Sequence, residues 1–199
     1  METNLRQTPL TVAHRTLSGR MVDFAGWEMP VLYTSILDEA RAVRAAAGIF
    51  DISHMGRIHV SGEGATALLQ KVTSNDVSAL QPSEAQYSLL TNSQGGIIDD
   101  IIVYRQGPEA YLVVINASNT DKDLGWIHSH TPANVTIDNR TAQTAMIAAQ
   151  GPRAPQLVVD IASDPSLLAL DRFQYGTGAI AGAPATFCRT GYTGEDGFE

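Results

Sequence analysis

Between residues 87 and 104 the chain reads YSLLTNSQGGIIDDIIVY, two runs rich in Leu, Ile, Val and Tyr on either side of a Gly95-Gly96 pair. Glycines supply the positive φ angles of a tight turn, so this stretch is predicted to be a β-hairpin. From residue 35 to 47 the pattern changes. Ile36, Leu37, Ala40, Val43 and Ala47 recur at helical spacing, Thr34 or Ser35 can serve as N-cap, and Gly48 stops the helix. Pro30 blocks a helix just before it, so residues 24–33 read as an extended piece anchored by Trp27. The same reasoning predicts strands at 49–53, 57–61, 110–116, 134–138, 144–149 and 183–190 and helices at 64–72, 119–130 and 153–161, with a turn over 191–197. In the helix at 119–130, Leu124 and Ile127 are expected inward and Asp121, Lys122 and Asp123 outward. Hairpin, strand, helix, strand, strand, helix is the order of an antiparallel sheet with flanking helices, the α+β class.

The hairpin's second arm holds two adjacent acids, Asp99 and Asp100, among Ile97, Ile98, Ile101, Ile102 and Val103. Side chains alternate along a strand, so Ile97, Asp99, Ile101 and Val103 share one face and Ile98, Asp100, Ile102 and Tyr104 the other. Both rows read as buried, and a carboxylate in apolar surroundings is costly unless paired, hydrogen-bonded or neutralised. At least one of the two therefore needs a partner or a task. A two- or four-residue turn at the glycines sets Tyr87 on the face of Asp100, whereas a three- or five-residue turn sets it with Asp99. The even loops match the Gly-Gly pair better.

Charge and composition narrow the classes. The chain has 199 residues, 44% of them hydrophobic and 17% charged, enough for a substantial globular core. With 13 basic against 21 acidic residues, a net charge of −8 and no basic block, it is not built to grip a nucleic-acid backbone. A small ligand or a protein partner fits better. A single cysteine, Cys188, allows no internal disulfide and no cysteine-based metal site. No apolar run reaches the roughly 18 residues of a membrane span, and residues 1–23 hold no signal-peptide core, so a soluble, cytoplasmic protein is expected. Five histidines form no HExxH, and His128 and His130 fall on different faces of one helix, so no metal site is predicted. Gly62-Glu63-Gly64 superficially matches a dinucleotide fingerprint, but Glu63 would oppose a pyrophosphate and no βαβ repeat follows.

Taken together, the hairpin, FAGWEMP at 24–30, GIFDISHMG at 48–56, AAQGP at 148–152 and RTGYTGEDGFE at 189–199 resemble the aminomethyltransferase (T protein) family of the glycine cleavage system, in order along essentially the whole chain. The resemblance implies a folate-binding α+β fold of two intertwined domains, residues 1–50 with 140–199 and residues 51–139. Family members continue past residue 199, so a C-terminal β domain is expected to be absent here. It also implies a reaction: tetrahydrofolate, as co-substrate, takes the aminomethyl group from the lipoyl arm of the H protein, releasing ammonia and giving methylenetetrahydrofolate.

Site residues follow from the same resemblance. Asp100 is the expected catalytic acid, next to N5 of tetrahydrofolate, and Asp99 is expected to be structural. Glu199 is the expected pterin-binding acid, Tyr87 and Tyr192 offer aromatic surface, Met55 lines the pocket and Asn116 lies near the reacting centre. A four-residue loop at 106–109 would, however, turn Asn116 toward the face of Asp99 unless the strand ends or bulges there. Other readings stay open: another folate-linked one-carbon enzyme of the superfamily, of the dimethylglycine, sarcosine or demethylase type, or a non-catalytic folate-binding assembly factor for iron–sulfur enzymes. The last group carries a Lys-Gly-Cys-Tyr-like segment where this chain has Arg189-Thr190-Gly191-Tyr192 without the cysteine.

Overall fold

A computed structural model describes residues 5–199. They divide into two compact units, residues 5–54 with 145–199, and residues 55–144. The first unit begins with β1 (Arg6–Gln7), α1 (Thr11–Thr16), β2 (Met21–Phe24) and β3 (Trp27–Pro30). Strands β2 and β3 form a hairpin whose Ala25-Gly26 turn has φ of +53° and +77°, the positive values a two-residue connection requires. The segment expected to be merely extended is thus paired on one edge by β2 and on the other by β1. Next come α2 (Ile36–Ala45) and β4 (Gly48–Asp51). Ser35 caps α2, its hydroxyl accepting from the Asp38 N–H at 3.1 Å. The apolar stripe read for α2 is not buried within the unit: Ile36 and Leu37 are each 66% exposed.

The second unit runs through β5 (Gly56–Ser61), α3 (Ala65–Val72), β6 (Ala85–Thr91), β7 (Ile97–Gly107), β8 (Ala110–Ile115), α4 (Thr120–His130) and β9 (Thr136–Asn139). Its five strands form one antiparallel sheet in the order β6-β7-β8-β5-β9. One face carries Ile58, Val60, Leu90, Ile101, Val103, Val113 and Ile115 into a core closed by Leu68, Leu69 and Val72 of α3 and Ile127 of α4. Each such side chain, fully buried, contributes about 1.5–3 kcal/mol. The residues buried on α3, at positions 65, 68, 69 and 72, are one helical stripe. Gly62 makes the turn into it at φ +113°, and a side chain there would meet the Asn134 carbonyl at 2.2 Å.

The chain then returns to the first unit with β10 (Ile147–Gln150), α5 (Ala154–Ala162), β11 (Tyr175–Ile180), β12 (Ala183–Cys188) and β13 (Gly197–Phe198). Strand β10 lies between β4 and β13, and β11 pairs with β12. Val159, Leu167, Phe187 and Phe198 make an apolar cluster of this unit. Sequence patterning missed β11, because YGTGAI has two glycines and no sustained alternation. The α+β class with antiparallel sheets holds. Patterning also did not mark β1, α1 and β2; the elements it did mark differ from expectation at their ends.

Candidate functional site

Two bulges decide what faces what in the central sheet. The β6–β7 connection spans residues 92–96, and Asn92 organises it by accepting from the N–H groups of Gln94 and Gly96 at 3.0 and 2.8 Å. Thr91 pairs with Ile97, but Leu90 pairs with Asp99, so Ile98 is the extra residue of a bulge. An odd loop plus one bulged residue gives the register of an even loop. Tyr87 therefore pairs with Ile102 and Leu89 with Asp100, which puts Tyr87 on the face of Asp100. Lys122 of α4 donates to the Ile98 carbonyl at 2.7 Å and secures the bulge.

The two acids have opposite environments, which corrects the expectation that both rows are buried. Asp99 points into the core face and is 7% exposed, whereas Asp100 is exposed on the other face beside the half-buried Leu89 and Ile102. Asp100 therefore incurs little desolvation cost, and among the described residues no ion pair involves it. Asn116 holds it: the amide Nδ2 donates to Asp100 Oδ1 at 3.0 Å, to the Asp100 carbonyl at 3.1 Å and to Asp99 Oδ1 at 3.1 Å. The second bulge makes this possible. Gln106 is extra between Arg105 and Gly107, so the β7–β8 turn is not the four-residue loop expected. Strand β8 ends at Ile115, and Asn116 straddles both acids instead of turning to Asp99 alone.

Beneath it lies a buried polar knot. Asp99 accepts from Asn119 Nδ2 at 2.7 Å and from the Asn116 backbone N–H at 3.4 Å as well as from the Asn116 amide. Burial alone would raise its carboxyl, but hydrogen bonds from Asp123, Asn116 and Asn119 outweigh it and hold Asp99 below the ordinary value. Asp123 is expected outward on α4 but is 0% exposed, and no protein donor reaches either of its oxygens. Lys122 Nζ stays 3.9 Å from Asp123 Oδ1. Burial first, then the hydrogen bond and charge of Asp99, push the Asp123 carboxyl up to about 8. A protonated Asp123 donating to an ionised Asp99 satisfies both groups. With Thr120 and Ile127, Asp123 makes up the buried stripe of α4.

Of the other candidates, Met55 precedes Gly56, which pairs with Ile115, the residue before Asn116. Tyr87, Asp100, Asn116 and Met55 thus fall in the second unit, at one end of its sheet. Tyr192 and Glu199 belong to the first unit. Tyr192 is 99% exposed. Glu199 accepts from the Thr190 hydroxyl at 2.6 Å; burial raises its carboxyl and that hydrogen bond only partly opposes the rise. Gln150, fully buried, accepts from the Thr193 hydroxyl at 3.0 Å and donates to the Thr190 carbonyl at 3.2 Å, which pins the 190–193 loop. A Cβ at Gly191 would meet Gln150 Oε1 at 2.0 Å and displace the buried amide that holds this loop. The unit also holds a second buried knot that patterning did not single out. His14 Nε2 lies 2.8 Å from Asp51 Oδ2 and His14 Nδ1 lies 2.7 Å from the Tyr33 hydroxyl.

A family model described as the GCVT N-terminal domain matches residues 10–199. The chain belongs to this family. It is 46% identical over 196 residues to an aminomethyltransferase of Bacillus subtilis (strain 168), covering 98% of this chain and 54% of that relative. It is 48% identical over 201 residues to an aminomethyltransferase of Deinococcus deserti, covering 100% of this chain and 56% of the relative. The fold matches the crystal structure of glycine cleavage system aminomethyltransferase T from Bartonella henselae with a TM-score of 0.88 at 32% identity, over 98% of this chain and 53% of that one. A heterotetrameric sarcosine oxidase from Corynebacterium sp. U-96 matches at a TM-score of 0.52 and 16% identity over 80% of each chain, which is a likeness of fold alone. The chain spans about half the length of the curated relatives it matches.

Proposed function

We propose that this family member acts in tetrahydrofolate-dependent aminomethyl transfer from the lipoyl arm of the glycine cleavage H protein. The observation that carries the proposal is the Asp100 carboxylate, exposed yet fixed by Asn116 at 3.0 Å beside Leu89, Ile102 and Tyr87. An anchored acid on a partly apolar strand face suits a flat ring that brings a basic nitrogen.

In this reading N5 of tetrahydrofolate attacks the aminomethyl carbon. The carbon–sulfur bond breaks to leave the reduced lipoyl thiol, the amino group departs as ammonia, and N10 closes the one-carbon bridge. Asp100 accepts or orients the N5 proton and stabilises the cationic iminium character that develops at the carbon. The protein supplies position and electrostatics, and folate supplies the nucleophile. Tyr87 and Met55 are assigned to the ring's surroundings and Asn116 to holding the acid. Glu199 and Tyr192 keep the pterin-binding role that the family resemblance assigns them. For Glu199 this means accepting from the pterin amino and ring N–H groups through its two oxygens. No helix among the described residues is long and apolar enough to cross a membrane, and the cytoplasm is the setting this reading assigns.

Replacing Asp100 by Asn is expected to lower turnover about 10²–10⁴-fold, the range for a lost acid–base group. The measurement is ammonia release from aminomethylated H protein, made in the protein at the full length of its relatives. Near-normal release by Asp100→Asn removes the assignment. Failure of the parent protein to release ammonia from that carrier moves the chain to another folate-linked enzyme or to the assembly-factor reading.

A further inference from the structure

Asp100 is held by one side chain, and that side chain is held from behind. Asn116 donates its amide to both Asp99 and Asp100, Asn119 donates to Asp99 at 2.7 Å, and the remaining side of Asp99 faces Asp123. Asp123 brings a fully enclosed carboxyl whose oxygens meet no protein donor. Two carboxylates facing each other in buried surroundings repel strongly, whereas one proton between them makes a short, charge-assisted hydrogen bond. The charges that bear on Asp123 are Asp99 and Asp100 from β7 and Lys122 on its own helix; α3, which also packs on α4, contributes none of them. Lys122 donates to the Ile98 carbonyl and stands 3.9 Å from Asp123 Oδ1, beyond hydrogen-bond reach, so its charge lowers the Asp123 carboxyl without outweighing burial and Asp99.

We propose that Asp123 is a positioning residue for Asp100: it shares one proton with Asp99, and the carboxylate so fixed holds the Asn116 amide against Asp100. The inference rests on the role proposed for Asp100 and extends it one layer inward. While the pair holds a single proton, Asp99 is a fixed acceptor and Asn116 has one orientation. Loss of that proton puts a second negative charge into the core, drives Asp99 and Asp123 apart and releases Asn116. Turnover should then fall on the alkaline side with a midpoint near that of Asp123, at about 8.

The test pairs kinetics with carboxyl-carbon NMR of the aspartates. One aspartate of the parent protein should titrate at about 8, and its signal should vanish in Asp123→Asn. Replacing Asp123 by Ala leaves Asp99 without its inner donor and should lower kcat about 10- to 100-fold, with the KM for tetrahydrofolate little changed. Asp123→Asn keeps a donor and cannot ionise. It should recover most of the lost turnover and abolish the alkaline limb. The proposal is overturned if every aspartate of the parent protein titrates in the ordinary carboxylate range, or if Asp123→Ala folds and keeps full kcat. Should Asp123→Ala fail to fold, the titration of the parent protein still decides. Full turnover in Asp100→Asn together with an aspartate titrating near 8 would remove the catalytic role of Asp100 while leaving the shared proton in place.

Discussion

Asp99 and Asp123 show how far environment separates two residues of one type. Asp99 is held below the ordinary carboxylate value by its donors, and Asp123 is raised from 3.8 to about 8. Their effects on stability therefore have opposite signs. The folded state keeps a proton on Asp123 that the unfolded chain gives up near its ordinary value, so this contribution is complete below about pH 3.8 and is lost as pH rises to about 8. Asp99 contributes stability at higher pH that is lost as pH falls through its lowered value. Between the ordinary value of 3.8 and the raised value of about 8, the Asp123 effect has a slope of up to about 1.4 kcal/mol per pH unit. Asp123→Asn is expected to flatten the decline in stability between pH 5 and 8, relative to the parent protein, when urea midpoints are compared at about one-unit pH steps. An unchanged pH profile in that variant would mean that Asp123 is ionised in the folded state.

Among the elements, the hairpin β6–β7 and the turn into α3 carry the most consequence. A hairpin was legible because two β-rich runs flank a glycine pair. The bulges at Ile98 and Gln106 were not, since each depends on a partner: Lys122 for the first, the β7–β8 register for the second. Their effect is to put Tyr87, Asp100 and the Asn116 amide together. The α3 turn makes a sharper prediction. Gly62 has φ +113° and would bring a Cβ to 2.2 Å from the backbone oxygen of Asn134, which cannot swing away as a side chain would. Gly62→Ala is expected to cost about 2 kcal/mol or more, through strain at positive φ and displaced backbone together. Thermal unfolding measures it, and a shift of less than a degree would refute the geometry of that turn. Gly95→Ala is the useful contrast, with φ +80° but open space around the added methyl, so its loss should be the smaller.

At the scale of the whole molecule, residues 55–144 form one contiguous unit with its own five-stranded sheet and core, whereas the other unit is assembled from two separate stretches. A continuous chain with a closed core meets the ordinary condition for independent folding. The isolated segment 55–144 is therefore expected to give dispersed amide NMR signals and a single cooperative urea transition. A collapsed spectrum and a gradual transition would show that this core needs the rest of the chain. The knot of Asp99, Asn116, Asn119 and Asp123 lies wholly inside this unit, so the aspartate titrating near 8 should persist in the segment.

What the amino-acid order determined by itself was local and periodic. Alternation and glycine placement marked the hairpin, helical spacing marked α2 and α4, and motifs spread along the chain marked the family. Those signals depend on neighbours a few residues apart, and so they survive without a structure. Tertiary structure alone decided which of the adjacent acids is buried, which of them Asn116 reaches, and that a residue read as an outward-facing aspartate lies in the core. Each of these turns on a one-residue register shift or on a helix rotation of a few tens of degrees. Such offsets reverse a side chain's environment without altering the pattern of apolar and polar letters, because only strand pairing and the packing of α4 on the sheet fix them.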